Sequence, residues 1–163
     1  MILWDTLDLN ELSILIILFV GFTIVGLLPK RLPRSITILS LLWGSAGAMF
    51  FDFTIGGGLI DFYTVNDSPR YELFDLFYYI LFAPFGYLFV YYYDKFNIKK
   101  IKFVWYVIAW SLAGLAVNWL FTLLGIIHFK NGYILPYSFP VFLVIQTITG
   151  LYYELIKSKN LFK

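Results

Sequence analysis

Apolar residues fall along this chain in five long blocks separated by short polar turns. A helix rises about 1.5 Å per residue, so about 20 apolar residues cross a hydrocarbon layer of about 30 Å. On that measure the pattern predicts membrane-spanning helices over residues 12–28, 35–53, 73–93, 103–127 and 137–156. Pro29, Pro33, Pro69 and Pro136 fall at or just outside these ends, where a missing backbone N–H costs least. There is no internal repeat, no low-complexity linker and no loop long enough for a soluble domain. The expected fold is all-α, one transmembrane domain over residues 1–163 with about five spans.

Charge adds an orientation. Counted loop by loop from the N-terminus, Lys and Arg number 0, 3, 1, 4, 1 and 3. Such alternation marks cytoplasmic loops by their basic residues, and a missed or invented span would scramble it. The N-terminus is expected outside and the C-terminus in the cytoplasm. Trp4, Tyr63, Tyr71, Tyr133 and Tyr137 then fall at the outer interface, and Tyr91–Tyr93, Trp105, Tyr106, Tyr152 and Tyr153 at the inner one, where amphipathic rings are enriched.

Composition agrees and narrows the chemistry. Of 163 residues, 61% are hydrophobic and 13% charged, about half the charge of a soluble domain. A globule this small cannot bury that much apolar surface, so the expected solvent is the lipid bilayer. A net charge of +2 and no basic run among stacking aromatics exclude nucleic acid as a partner. The absence of cysteine removes disulfides, thiolate ligands and thiol nucleophiles. The first residues carry Asp5, Asp8 and Glu11 with no basic residue, unlike a secretory signal, so the first span is expected to stay in the mature protein.

Polar groups inside spans mark the candidate sites, because an unpaired ionisable group there costs several kcal/mol. Asp52 sits in the outer half of span 2, Asp61 in the segment that follows, and Glu72 and Asp75 open span 3. Glu72 and Asp75 share a face with Tyr79 one turn on. These acids form either a cation, proton or paired-carboxylate site, or, for Glu72 and Asp75, ordinary acids at a helix N-terminus. Ser45, Ala48 and Asp52 share a face of span 2 with Gly44 and Gly47 beside it, the composition of a close helix contact. Gly56–Gly58 either ends the helix or makes a re-entrant turn. In span 4, Ser111, Gly114, Asn118, Thr122 and Gly125 make a small and polar stripe, and span 5 offers Gln146, Gly150 and Glu154. Asn118 and Gln146 either bond across helices or line a polar pocket with Asp52.

Other motifs carry less. Pro84 bends span 3, and Glu154 is expected to face Lys157 as a structural pair. His128 is the single histidine and has no metal-ligand spacing around it, so no metal and no cofactor are expected. No nucleophile elbow or Asp-rich transfer motif is present, so enzyme activity has little support.

The runs YELFDLFYYILFAPFGYLFVYYYDKF (71–96) and LGIIHFKNGYILPYSFPVFL (124–143) resemble an uncharacterised family of small multi-pass membrane proteins from spore-forming Gram-positive bacteria. The similarity runs from the PKRLPR turn to the end of span 5. It rests on Glu72 with Asp75, on Pro84-Phe85-Gly86, and on Tyr137-Ser138-Phe139-Pro140. It implies a bacterial cell membrane and the same fold, and brings no activity with it. Many members carry an acid just before the span 4 tryptophan, where this chain has Asn118-Trp119, so any role of that acid does not carry over.

The expectation drawn from these features is a membrane-embedded binding or transport component for a cation, a proton or a small amphiphile. Five spans are few for an autonomous carrier, so a homo-oligomer or a membrane partner protein is expected with it. The alternatives are a structural or regulatory membrane protein acting through helix packing, and an enzyme on a lipid or prenyl substrate.

Overall fold

The computed structural model describes residues 8–66 and 72–158. Trp4, Pro69, Arg70, Tyr71, Lys159 and Lys163, used above for orientation and span ends, lie outside the described residues. Five helices carry the fold: α1 (Leu9–Leu27), α2 (Arg34–Thr54), α3 (Leu73–Lys95), α4 (Ile101–Leu123) and α5 (Ser138–Ser158). Each is long and apolar enough to cross a membrane. Two short strands, β1 (Tyr63–Val65) and β2 (Ile127–Phe129), pair antiparallel, with Thr64 opposite His128.

Local chemistry sets the ends. Asp8 and Glu11 form a capping box at the start of α1, the Asp8 N–H donating to Glu11 Oε2 at 2.9 Å. The helix therefore begins earlier than its apolar run. Glu72 and Asp75 do the same for α3, where the Glu72 N–H reaches Asp75 Oδ2 at 2.8 Å. At the end of α4, Ile126 N–H bonds to Phe121 O at 2.9 Å and Gly125 N–H to Thr122 O at 3.3 Å. Gly125 has φ +69°. This is a Schellman ending, with Gly125 at the left-handed position and Ile126 packed beside Phe121 in one core cluster. Span 4 thus stops at Leu123, not near 127, and Gly125 is a cap residue rather than part of the polar stripe.

The most buried helix is α3, with α1 and α2 packed on it; α4 packs on α5, and α5 completes the bundle against α3. The α2–α3 crossing is close because both sides are glycine. A Cβ on Gly86 would lie 2.5 Å from Ser40 O and 2.8 Å from Gly44 Cα, and one on Gly44 would overlap Phe82 O. On the other side of α3, the ring of Pro84 lies where a Cβ on Gly21 would meet it at 3.0 Å. Proline here shapes the α1–α3 contact while the helix continues through it. The remaining faces of α1, α2, α4 and α5 are apolar and exposed, with Phe19 at 72% and Leu27 at 80%.

The two ends of the bundle differ. At one, Asp94 gathers Arg31 (2.8 Å), Lys157 (3.0 Å) and the Tyr153 hydroxyl (2.9 Å), tying the α1–α2 turn, α3 and α5 together. Lys157 pairs with Asp94, not with Glu154. At the other, the ribbon joins the α2–α3 and α4–α5 connections, extended by Asn66 N–H to Ile126 O (2.9 Å) and Lys130 N–H to Phe62 O (2.8 Å). Gly56–Gly58 belongs to this end. α2 ends at Thr54, ahead of the three glycines, and the chain turns back over its last residues, with Ile60 N–H on Thr54 O and Phe62 N–H on Ile55 O.

Candidate functional site

Between α2–α3 and α4–α5 lies a cavity of about 160 Å³, roofed by the ribbon and its flanking loop. Helix placement explains it. Gly44, Gly47, Ala48, Gly86, Ala113 and Gly114 line it, so the helices meet at small residues with little side chain to fill the space between. Around that space stand large rings, among them Phe51, Phe82, Phe85, Trp110, Phe121 and Phe142. No Asp, Glu, Lys, Arg or His is among the lining residues. The cavity follows α5 from Ser138 to Thr149, about 16 Å of helix.

Its two ends are polar. At the deep end the Trp43 Nε1–H donates to Thr149 Oγ1 at 2.7 Å, and Trp43 stacks on Tyr152 with centroids 5.7 Å apart. Trp43 and Thr149 line this end, with Gln146 one turn back on α5. Under the roof, Asn118 Nδ2 donates to Ser138 Oγ at 2.8 Å, and the Tyr133 hydroxyl lies 3.2 Å from the same oxygen. The other arm of that amide, Asn118 Oδ1, is buried with no hydrogen-bond partner. An unpaired buried acceptor of this kind costs about 1–3 kcal/mol.

Asp52 adjoins this cavity without lining it. On α2 it lies between Ala48 and Ile55, four and three residues away and therefore on one face with them; both line the cavity. The side chain turns toward α3, where the Tyr79 hydroxyl donates to Oδ2 at 2.6 Å. A Cβ on Gly56 would lie 2.6 Å from Asp52 Oδ1 and 2.9 Å from Tyr63 Cε2. The carboxylate oxygen and the cavity-lining ring are thus near neighbours. Asp52 is 4% exposed and has no ion-pair partner among the described residues.

The other expected site residues separate. Asp75 is buried and held by the Glu72 N–H and by Asn66 Nδ2 at 2.8 Å, so it ties the α2–α3 connection to the start of α3. Asn66 itself has φ +54°, and its Oδ1 has no partner. Glu72 completes the capping box. Asp61 is exposed on the ribbon end, 3.5 Å from Lys130, and its carbonyl accepts Asn131 Nδ2 at 2.7 Å. Asn118 and Gln146 share the cavity, Asp52 stands just behind its wall, and Asp61, Glu72 and Asp75 do other work. Among the described residues no three His, Cys, Asp or Glu side chains come together to hold a metal ion.

Sequence patterning placed Tyr133 at the outer interface and noted Ser138 in the resemblance, but gave neither of them, nor Trp43 or Thr149, as a site residue. Trp43 and Thr149 are paired across helices far apart in the chain, and Ser138 joins Asn118 and Tyr133 where the α4–α5 connection meets α5. Asp94 was legible in principle, since it stands beside the most basic loop with few acids near it.

No protein-family model, curated protein or solved structure matches the chain.

Proposed function

We propose that this chain is a multi-pass membrane protein that holds a small amphiphile in the cavity between its two helix groups. The exposed apolar faces of four helices support lipid as the solvent, since a continuous surface of that kind is unfavourable in water. The alternation of basic loops supports five crossings, with the ribbon end and N-terminus outside and the Asp94 end and C-terminus in the cytoplasm. The resemblance to small membrane proteins of spore-forming Gram-positive bacteria supports a bacterial cell membrane.

The observation that carries the binding reading is the cavity itself, with its aromatic walls and its polar group under the roof. Apolar walls with a few placed polar atoms are the usual makeup of a small-molecule site. The volume fixes the scale. An apolar cavity of about 150 Å³ takes one benzene ring, so the occupant is about one ring in size. Transport of such a molecule would need a second copy of the chain or a partner membrane protein, because five helices are few for an autonomous carrier. The test is saturable binding of a small aromatic amphiphile to the protein in lipid nanodiscs. Ala113→Phe, which fills the cavity, should abolish it; uptake that only follows bilayer partition, equal in both proteins, would reject the reading.

A further inference from the structure

We infer that the cavity is filled from the bilayer, through the seam between α2 and α5, and that its occupant is an uncharged molecule soluble there. This rests on the cavity being a binding site in a membrane, and adds the route and the class of what enters. Four helices surround the space, so a molecule dissolved in lipid meets four seams between them. They are not equally shut.

The α2–α3 seam is closed backbone against backbone at Gly44 and Gly86. The α3–α4 seam is filled by rings. Tyr78 and Phe82 pack on Phe121 with centroids 6.1 and 6.0 Å apart, and Phe89 packs on Tyr106 and Trp110. The Tyr106 hydroxyl also donates to Phe89 O at 2.6 Å, and Tyr78, Phe89 and Phe121 are buried. At α4–α5, Gly114 lies against the ring of Phe142 and Gly150 against that of Phe103, with Asn118 bonded to Ser138.

The α2–α5 seam differs. Trp43 ties it at one level, by its hydrogen bond to Thr149 and its stacking on Tyr152. From there toward the ribbon, α2 and α5 share no hydrogen bond, ion pair or ring contact among the described residues. One turn on, Gly47 offers no side chain, and the place of its missing Cβ is met by the Cδ1 methyl of Ile145 at 3.3 Å. Rotation of one half-buried side chain moves that methyl quickly, whereas the other seams part only if backbone or several rings separate. Gly47, Phe51, Val141 and Ile145 all line the cavity here and are only half-buried. Helix α1 packs on α3, and none of its residues lines the cavity.

The lining sets the class. It holds no Asp, Glu, Lys, Arg or His, and its polar atoms are amide, indole and hydroxyl groups that serve donors and acceptors alike. An ion of either sign would be buried without a counterion, after giving up its water to cross lipid. An uncharged ring molecule gives up little, and the same property concentrates it in the bilayer beside the seam.

The experiment follows 4-fluorobenzyl alcohol by fluorine NMR as it exchanges between the lipid of a nanodisc and the full chain, which gives its rate of entry. Gly47→Cys with Ile145→Cys puts a thiol on each side of the seam, in a chain without native cysteine, and oxidation staples it. Thr64→Cys with His128→Cys, facing positions on the two strands, staples the ribbon instead. Oxidising the seam pair should slow entry about tenfold or more against its own reduced form, and reduction should restore the rate. Oxidising the ribbon pair should leave entry unchanged. Ile145→Ala, which needs no crosslink, should speed entry severalfold. Entry slowed by the ribbon staple and not by the seam staple overturns the lateral route and moves the entrance to the ribbon. A rate that neither the seam staple nor Ile145→Ala changes overturns it as well. 4-Fluorobenzoate, an anion at about pH 7.5, should show no saturable binding, and benzoate bound as tightly as the alcohol overturns the uncharged class. Those outcomes leave the cavity standing as a site. No saturable binding of either molecule to the native chain overturns the site itself, and the route with it.

Discussion

The Tyr79 hydroxyl donates a 2.6 Å hydrogen bond to Asp52 Oδ2, joining the last turns of α2 to α3 in a buried position. The bond also turns the carboxyl away from the cavity, so Asp52 stands behind the wall instead of in it. Removing the Tyr79 hydroxyl leaves the Asp52 carboxyl buried without that donor, which costs more than removing both groups.

Tyr79→Phe should therefore destabilise the protein by about 1–3 kcal/mol, and Asp52→Leu, which removes the buried carboxyl itself, is measured beside it. The double variant should lose less than the two single losses combined. Unfolding in detergent or lipid, followed by a probe of tertiary structure, gives all three values. Strict additivity would mean that the pair contributes nothing as a pair.

The α2–α3 crossing sets a second expectation. Gly86→Ala places a methyl against Ser40 O and the backbone of Gly44, with no flexible atom to give way. The loss should reach about 3 kcal/mol or more, at the upper end of overpacking costs. Gly26→Ala meets nothing within 4 Å in an exposed helix and should be neutral or stabilising by up to about 1 kcal/mol. Thermal unfolding of the two variants side by side separates a packing effect from a general intolerance of change.

Most of the fold is legible in the sequence, and the places where it is not have one cause. Block length and loop charge locate five helices, because the hydrophobic requirement acts on each block separately. Ile127, the first residue of β2, falls inside the apolar run that reads as span 4. Its strand exists because Tyr63–Val65, more than sixty residues earlier, presents a partner edge. The local clue was Gly125, whose left-handed backbone stops the helix. Space around it is open, so Gly125→Ala should cost about 1 kcal/mol from backbone strain alone, and Gly125→Asn less.

The candidate site divides the same way. Glu72 and Asp75 follow a local rule, a capping box three residues apart, and their role can be read from spacing. Asn118 and Gln146 were visible as polar residues within apolar helices. Whether they met Asp52 depended on which helices are neighbours, and loop charge carries no information on that. Asp52 turned toward Tyr79 because α3 packs against α2 through the Gly44–Gly86 contact.

The proposed orientation has a direct check, helped by the absence of native cysteine. Ile134→Cys lies exposed at the ribbon end and Lys99→Cys in the α3–α4 turn. In intact cells a membrane-impermeant maleimide should label the first and not the second. Permeabilised cells should show both, and the reverse pattern in intact cells would invert the bundle.

The central claim is that a small amphiphile occupies the cavity between the helix groups, and contact quenching of one tryptophan tests it most directly. Trp43 lines the cavity, whereas Trp105 is 67% exposed on the surface of α4. Two chains, each keeping one of these tryptophans and carrying Phe at the other four, are titrated in nanodiscs with 4-bromobenzyl alcohol, whose bromine quenches on contact. Quenching of Trp43 should saturate, while that of Trp105 should rise in proportion to the alcohol dissolved in the bilayer. Proportional quenching of both tryptophans, with no saturation at Trp43, would contradict the claim.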